Sequence, residues 1–226
     1  MDDDYDLKNF DNVCRLFPLP GVVLFPHAVL PLHIFEPRYR QMTEDALASD
    51  GLITIVQLRP PEEWASPDRP ALEEYGCLGR IVKHERLPDG RFRFLLLGRK
   101  RVRLGREIPS EKLYRSAEVE IVEDVEPEEA DLSRRIELIG LFRRMLGDRI
   151  DPDLNKLFDA NLSLGILTDI IAQAIGLSPT IKQSLLEEPL VAARAAELVG
   201  HLEEWRQRQG DPGDRPAPFP PPFSRN

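Results

Sequence analysis

The stretch Leu30 to Met42, LPLHIFEPRYRQM, passes abruptly from an apolar run into Glu36, Pro37, Arg38, Tyr39 and Arg40. Such a cluster could do chemistry: Glu36 as a general base, Arg38 and Arg40 as an anion clamp, Tyr39 as their partner. The same residues also suffice to build a corner. Ile34 and Phe35 end a strand, Pro37 sets the turn, and Tyr39 and Met42 anchor a helix. Glu36 then stands at the helix N-terminus, where a negative charge suits the free amides and the dipole. Every residue finds a structural task, and the corner is the expected reading.

The remaining candidates for chemistry are sparse. No Gly-Lys pair occurs, so there is no phosphate-cradling loop of the Walker type, and no G-x-S-x-G elbow is present. His27, His33, His84 and His201 never take the i, i+4 spacing that would place two imidazoles on one helix face for zinc. Two cysteines, Cys14 and Cys77, cannot close a zinc site or a disulfide framework, so neither metal nor cofactor is expected. Ser110 and Lys112 in IPSEKLY could be imagined as a nucleophile and base, but a turn between strands accounts for them. The segment Arg99 to Arg106, RKRVRLGR, carries five basic residues in eight. In a strand Arg99, Arg101 and Arg103 would share a face able to track a phosphate backbone. Cross-strand pairing with Glu118 and Glu120 is the expected alternative.

The whole chain narrows the choice. It has 226 residues, is 42% hydrophobic and carries a net charge of −9, with an isoelectric point near 5.1. That balance argues against non-specific binding to nucleic acid or anionic membranes. The N-terminus, MDDDYDLKNFDNV, is acidic where a secretion signal would be basic and then apolar. The longest apolar runs fall far short of the roughly 20 residues of a membrane helix. A cytoplasmic protein is expected.

Patterning divides the chain into an acidic, disordered residues 1–13, a β-rich lobe over 14–125, a helical bundle over 126–209 and a proline-rich disordered tail over 210–226. GVVLF (21–25) and ITIVQL (53–58) read as strands, and residues 59–76 read as a long surface loop. Asp89-Gly90 between two strand-like runs is a hairpin signal, because these residues accept the positive φ the turn demands. VRLGREI and AEVEIVED supply further strands. One helix interrupts this lobe, from Pro37 through Tyr39, Met42 and Ala46 to Ser49. After Glu126 the period becomes helical. Leu132, Ile136, Ile139, Phe142 and Met145 predict one apolar face, and a further helix spans about 163–176. Ser178-Pro179 caps a short helix, and Val191, Ala195, Leu198, Leu202 and Trp205 mark the last.

LFPLPGVVLFPHAVLPLHIFEPRYRQM closely resembles the opening of the Lon N-terminal, substrate-binding domain family. The resemblance continues through GCLGRIVKHERLPDGRFRFLLLGRKRVRLGREI and YRSAEVEIVED into LTDIIAQAIGLSPTIKQSLLEEPLVAARAAELVGHLEEW, covering about 14–207. Pro26, Glu36, Pro37, Arg38 and Tyr39 form its signature corner. It implies an α+β fold, a PUA-like β pseudo-barrel followed by a helical bundle. It also implies a stand-alone protein, because the chain ends shortly after Trp205, before the ATPase and Ser–Lys peptidase modules of Lon. The implied function is non-catalytic binding of unfolded polypeptide or a protein partner. Phe35, Tyr39 and Trp64 are the candidate peptide contacts. RNA binding through Arg99, Arg101 and Arg103, as some PUA-like folds do, is the alternative.

Overall fold

A computed structural model describes Leu7 and residues 10–66, 69–128, 131–146, 158 and 162–209. Six strands, β1 (Val13–Leu19), β2 (Val29–Ile34), β3 (Leu52–Leu58), β4 (Leu72–Arg86), β5 (Phe92–Ile108) and β6 (Ser116–Val122), form one sheet in the order β2-β5-β4-β3-β1-β6. Because β6 also pairs with the C-terminal half of β5, the last five strands of that order close on themselves. β1 and β3 run parallel and the other pairs antiparallel. The parallel pair requires a crossover; it carries β2 and the helix α1 (Pro37–Leu47).

Side-chain alternation gives this barrel two cores. Cys14, Leu16, Leu52, Val56, Leu78, Val102, Ala117 and Val119 fill its interior. Phe17, Leu19, Ile53 and Ile55 point the other way and join Tyr39, Met42 and Ala46 of α1 in a larger cluster. The helices α2 (Leu132–Leu146), α3 (Leu164–Ala174), α4 (Pro179–Glu187) and α5 (Val191–Gln209) complete that cluster. Strands buried on both faces explain why β1 and β3 read as nearly continuous apolar runs.

Local signals account for most of the elements. The β4–β5 hairpin turns through Gly90 at φ +80°, Leu87 N–H bonds the Arg91 carbonyl, and the Asp89 carboxylate accepts from the Arg91 amide. Ser163 and Ser178 cap α3 and α4 by accepting from the amides of Ile166 and Ile181.

Other expectations change. Residues 21–25 are not a strand: Val23, Leu24 and Phe25 are buried in irregular backbone. The Phe25 amide donates to the side chain of Gln173, so no sheet ladder is needed to satisfy it. The loop after β3 ends at Ala71, and Leu72 already pairs with Leu58. RFRFLLLG and VRLGREI are one strand of 17 residues, bent by register shifts. On α2 the buried side chains are Leu138, Leu141 and Phe142, whereas Leu132 and Ile136 are exposed. Leu7 and Phe10 pack against the barrel interior and Val13 opens β1, so part of the segment expected to be disordered is docked. The proline-rich tail lies outside the described residues.

The edge strand β2 is guarded. Gly98 N–H bonds the Ala28 carbonyl, so by alternation Leu30, Leu32 and Ile34 bond β5 while Val29, Pro31 and His33 turn their backbone to the open edge. A proline there loses no ladder bond and denies a donor to any incoming strand. Replacing Pro31→Val is expected to produce larger species than the parent at equal concentration in light scattering. Identical profiles would mean that the edge is covered.

Candidate functional site

At one end of the barrel β1 and β3 finish and β6 begins. Continuing the interior-facing alternation past Cys14 and Leu16 on β1, Val56 on β3 and Ala117 on β6 brings Pro18, Leu58 and Arg115 to that mouth. They line a groove of about 370 Å³ together with Leu19, Pro20, Pro70, Leu113 and Tyr114, and with Glu36, Arg38 and Tyr39 from the start of α1. A smaller depression adjoins it, sharing Leu19, Glu36 and Tyr39 and bounded by Phe17, Leu32 and Phe35. The corner LPLHIFEPRYRQM is therefore the rim of a groove lined by both apolar and charged side chains.

The rim residues are positioned by identifiable contacts. Tyr39 is 5% exposed; its ring lies 4.3 Å from that of Phe17, and its hydroxyl stands 3.4 Å from the Pro18 carbonyl oxygen. Phe35 is 37% exposed at the edge of the smaller depression. Leu113, 61% exposed, is held by the hydrogen bond its backbone N–H donates to the Gln41 side-chain oxygen of α1. Glu36 makes no side-chain cap to α1. Glu36 is the N-cap residue of α1, and its carboxylate pairs with Arg38 at 2.8 Å rather than with the helix amides.

Trp64 is not part of the groove. It ends a short 3-10 turn over Pro61–Glu63, half-buried, with its indole N–H donating to the Arg59 carbonyl at 2.8 Å. The sequence reading missed Leu113, Pro18 and Pro20, which show no periodicity that marks a site. The apolar, exposed Leu113 in an otherwise polar turn was the one available signal.

The wall over residues 107–115 is fastened by carboxylates. Asp45 bonds Lys112 and Tyr114, at 2.9 and 2.7 Å, and Glu107 bonds Arg115 and Arg69. The hydrogen bond from Lys112, aided by Tyr114, holds the Asp45 carboxyl below its usual range. Arg115, then Arg69, does the same for Glu107. Burial, reinforced by Asp45, pushes the Tyr114 hydroxyl up to about 12. Depressed folded-state values mean that these contacts stabilise above the ordinary carboxylate range and are lost as pH falls through the folded values. Below about pH 4 the exchange protection of the Leu113 and Tyr114 amides, relative to their intrinsic rates at that pH, is expected to fall more than that of β3. A uniform loss of protection would contradict a wall that opens separately.

The basic run of β5 serves another purpose. Arg101 is 2% exposed, bonded to Asp169 of α3, to Asp124 at 3.0 Å and to the Leu186 carbonyl. Arg194 of α5 bonds Asp124 at 2.5 Å and approaches Asp169 at 3.4 Å. Burial opposes the charge on Arg101, but Asp169 and Asp124 outweigh it and its pKa stands above the ordinary value. Two arginines and two aspartates thus compensate one another between barrel and helices. Arg103 lies opposite Glu120 in register, as expected, and its nearest carboxylate is that of Glu74, at 3.9 Å. Glu118 pairs with Arg106. Arg99 and the buried Pro26 line a polar cleft of about 170 Å³ at the same junction, beside Asp124 and Ser163.

Ser110 and Lys112 do not form a nucleophile–base pair. Ser110 accepts a hydrogen bond from the Lys112 amide, which is a turn contact, and the Lys112 ammonium faces Asp45. Both cysteines are free and buried, and burial pushes the Cys14 thiol up to about 12. Among the described residues no three His, Cys, Asp or Glu side chains gather at metal-binding distance. Nor is any helix there long and apolar enough to cross a membrane.

Known proteins place this architecture. The family described as the ATP-dependent protease La (LON) substrate-binding domain matches residues 13–204, and the chain belongs to that family. It is 33% identical over 202 residues to Lon protease 2 of Syntrophobacter fumaroxidans, covering 86% of this chain and 24% of that protein. It is 30% identical over 195 residues to the Lon protease of Xanthomonas oryzae, covering 83% and 22%. The chain thus spans about a quarter of the length of the curated relatives it matches. Its fold is shared with the N-terminal domain of a Mycobacterium avium complex Lon protease, at a TM-score of 0.69 and 18% identity, covering 85% of this chain and 98% of that one. A Lon N-terminal domain protein from Xanthomonas campestris gives 0.63 and 24%, covering 83% and 97%. The α+β class and barrel-plus-bundle architecture expected from sequence are those of this family.

Proposed function

We propose that this chain is a non-catalytic polypeptide-binding module acting in the cytoplasm, which holds exposed segments of other proteins in the groove at the barrel mouth. The observation that carries the reading is the groove itself. Apolar side chains from β1, β3, α1 and the 107–115 wall converge there, and Leu113 and Phe35 stay exposed beside it. A shallow groove that sets apolar side chains beside the paired charges of Glu36, Arg38 and Arg115 suits segments of varied sequence, because area and shape rather than a unique hydrogen-bond code supply the affinity. Its family membership supports a substrate-binding role.

The RNA reading lacks such support. It needs Arg99, Arg101 and Arg103 on one open face, and Arg101 is enclosed by the helices and spent on two aspartates. Binding is tested by fluorescence anisotropy with labelled α-lactalbumin, native or reduced and carboxymethylated. The unfolded form is expected to bind and the native form not; equal binding or none would sink the proposal.

A further inference from the structure

We propose that a polypeptide in the barrel mouth is held partly by its backbone, as an extended segment occupying the β1 edge that β6 vacates and donating an N–H to the Pro18 carbonyl. This rests on the reading that the mouth binds polypeptide and adds how it does so. β6 pairs with β1 only through Val13, Cys14 and Arg15, with one further bond from the Leu16 amide to the Arg115 carbonyl at 2.8 Å. Residues 113 and 114 then turn to α1, where the Leu113 amide meets Gln41 and the Tyr114 hydroxyl meets Asp45. The β1 edge beyond Leu16 thus loses its neighbour and opens onto the groove.

Strand alternation decides what that edge offers. Leu16 turns its amide toward β6, so Pro18 turns its carbonyl the same way, while Phe17 and Leu19 face β3. The Tyr39 hydroxyl reaches the Pro18 oxygen only at 3.4 Å, long for an O–H···O bond. Pro18 has no N–H, and Pro20, the next residue of that parity, has none either. The edge accepts hydrogen bonds and donates none. An incoming chain continues the line of β6 by supplying one amide, whatever its side chains, and no ladder can extend beyond it. An edge of this kind suits brief, sequence-tolerant capture of unfolded segments.

In the full chain labelled with ¹⁵N and ¹³C, the cross-peak joining the Leu19 amide to the Pro18 carbonyl carbon reads this bond. Saturation with reduced, carboxymethylated α-lactalbumin is expected to move that carbonyl resonance downfield. Binding that leaves it unmoved overturns the inference while sparing the groove; absence of binding overturns the reading beneath both. Tyr39→Phe removes the internal donor that competes for this oxygen, so affinity is expected to rise by about threefold. An affinity that is unchanged or falls would mean that this oxygen is not the contact and would refute the Pro18 assignment.

Discussion

Asp169→Ala is expected to lower the unfolding free energy by about 3–5 kcal/mol in urea titration, the cost of leaving buried charge without its partner. Asp169 bonds Arg101 and approaches Arg194, and both arginines are almost fully buried. With the carboxylate gone, Asp124 is the one carboxylate among the described residues still paired with both guanidinium groups. A paired replacement separates the charge penalty from lost packing. Arg101→Met together with Asp169→Leu removes charges of both signs and is expected to recover much of the loss. A single variant within about 1 kcal/mol of the parent would mean that water already reaches the cluster.

Gly98→Ala is expected to cost about 3 kcal/mol or more by the same measurement. An added Cβ would stand inside the contact distance of the Phe25 carbonyl oxygen and 3.1 Å from the Cys77 sulfur. The carbonyl cannot swing aside, because it accepts from Ala28 while the Phe25 amide is bonded to Gln173. Gly200, within α5, supplies the contrast: nothing lies within 4 Å of a Cβ built there. Gly200→Ala is expected to stabilise by about 0.5–1 kcal/mol, the ordinary gain of alanine over glycine in a helix. Equal effects at the two positions would refute the packing argument.

The contrast between these glycines bears on how much of the molecule its sequence makes legible. Helix α1 was readable because Pro37 starts it and Tyr39, Met42 and Ala46 recur on one face, all of them local facts. The hairpin was readable from Asp89-Gly90 alone. Gly98 looked like the end of a strand, and only the approach of residue 25 shows why a side chain is excluded there. The apolar face of α2 was legible in part: Ile139, Phe142 and Met145 pack on the core, whereas Leu132 and Ile136 continue the period without doing so. Arg101 and Asp169 are 68 residues apart, and no local pattern pairs them. Tyr39 and Phe35, singled out through the corner they build, lie beside the depressions at the barrel mouth. Trp64 was chosen as an aromatic residue on a long loop, and it is half-buried, its indole bonded to the Arg59 carbonyl. Pro18 and Leu113 acquire meaning only when the strands close into a barrel and give it a mouth.

The central claim is that the barrel mouth, rather than apolar surface in general, binds polypeptide. Leu113→Glu and Ile136→Glu test it as a pair. Both leucine and isoleucine are exposed, the first at the groove and the second on α2, outside the groove lining. The measurement is the affinity of each full-length variant for reduced, carboxymethylated α-lactalbumin, by fluorescence anisotropy. Leu113→Glu is predicted to weaken binding about tenfold or more, the scale of one well-placed apolar contact, with Ile136→Glu within about twofold of the parent. Equal losses, or a loss at Ile136 alone, would contradict the account.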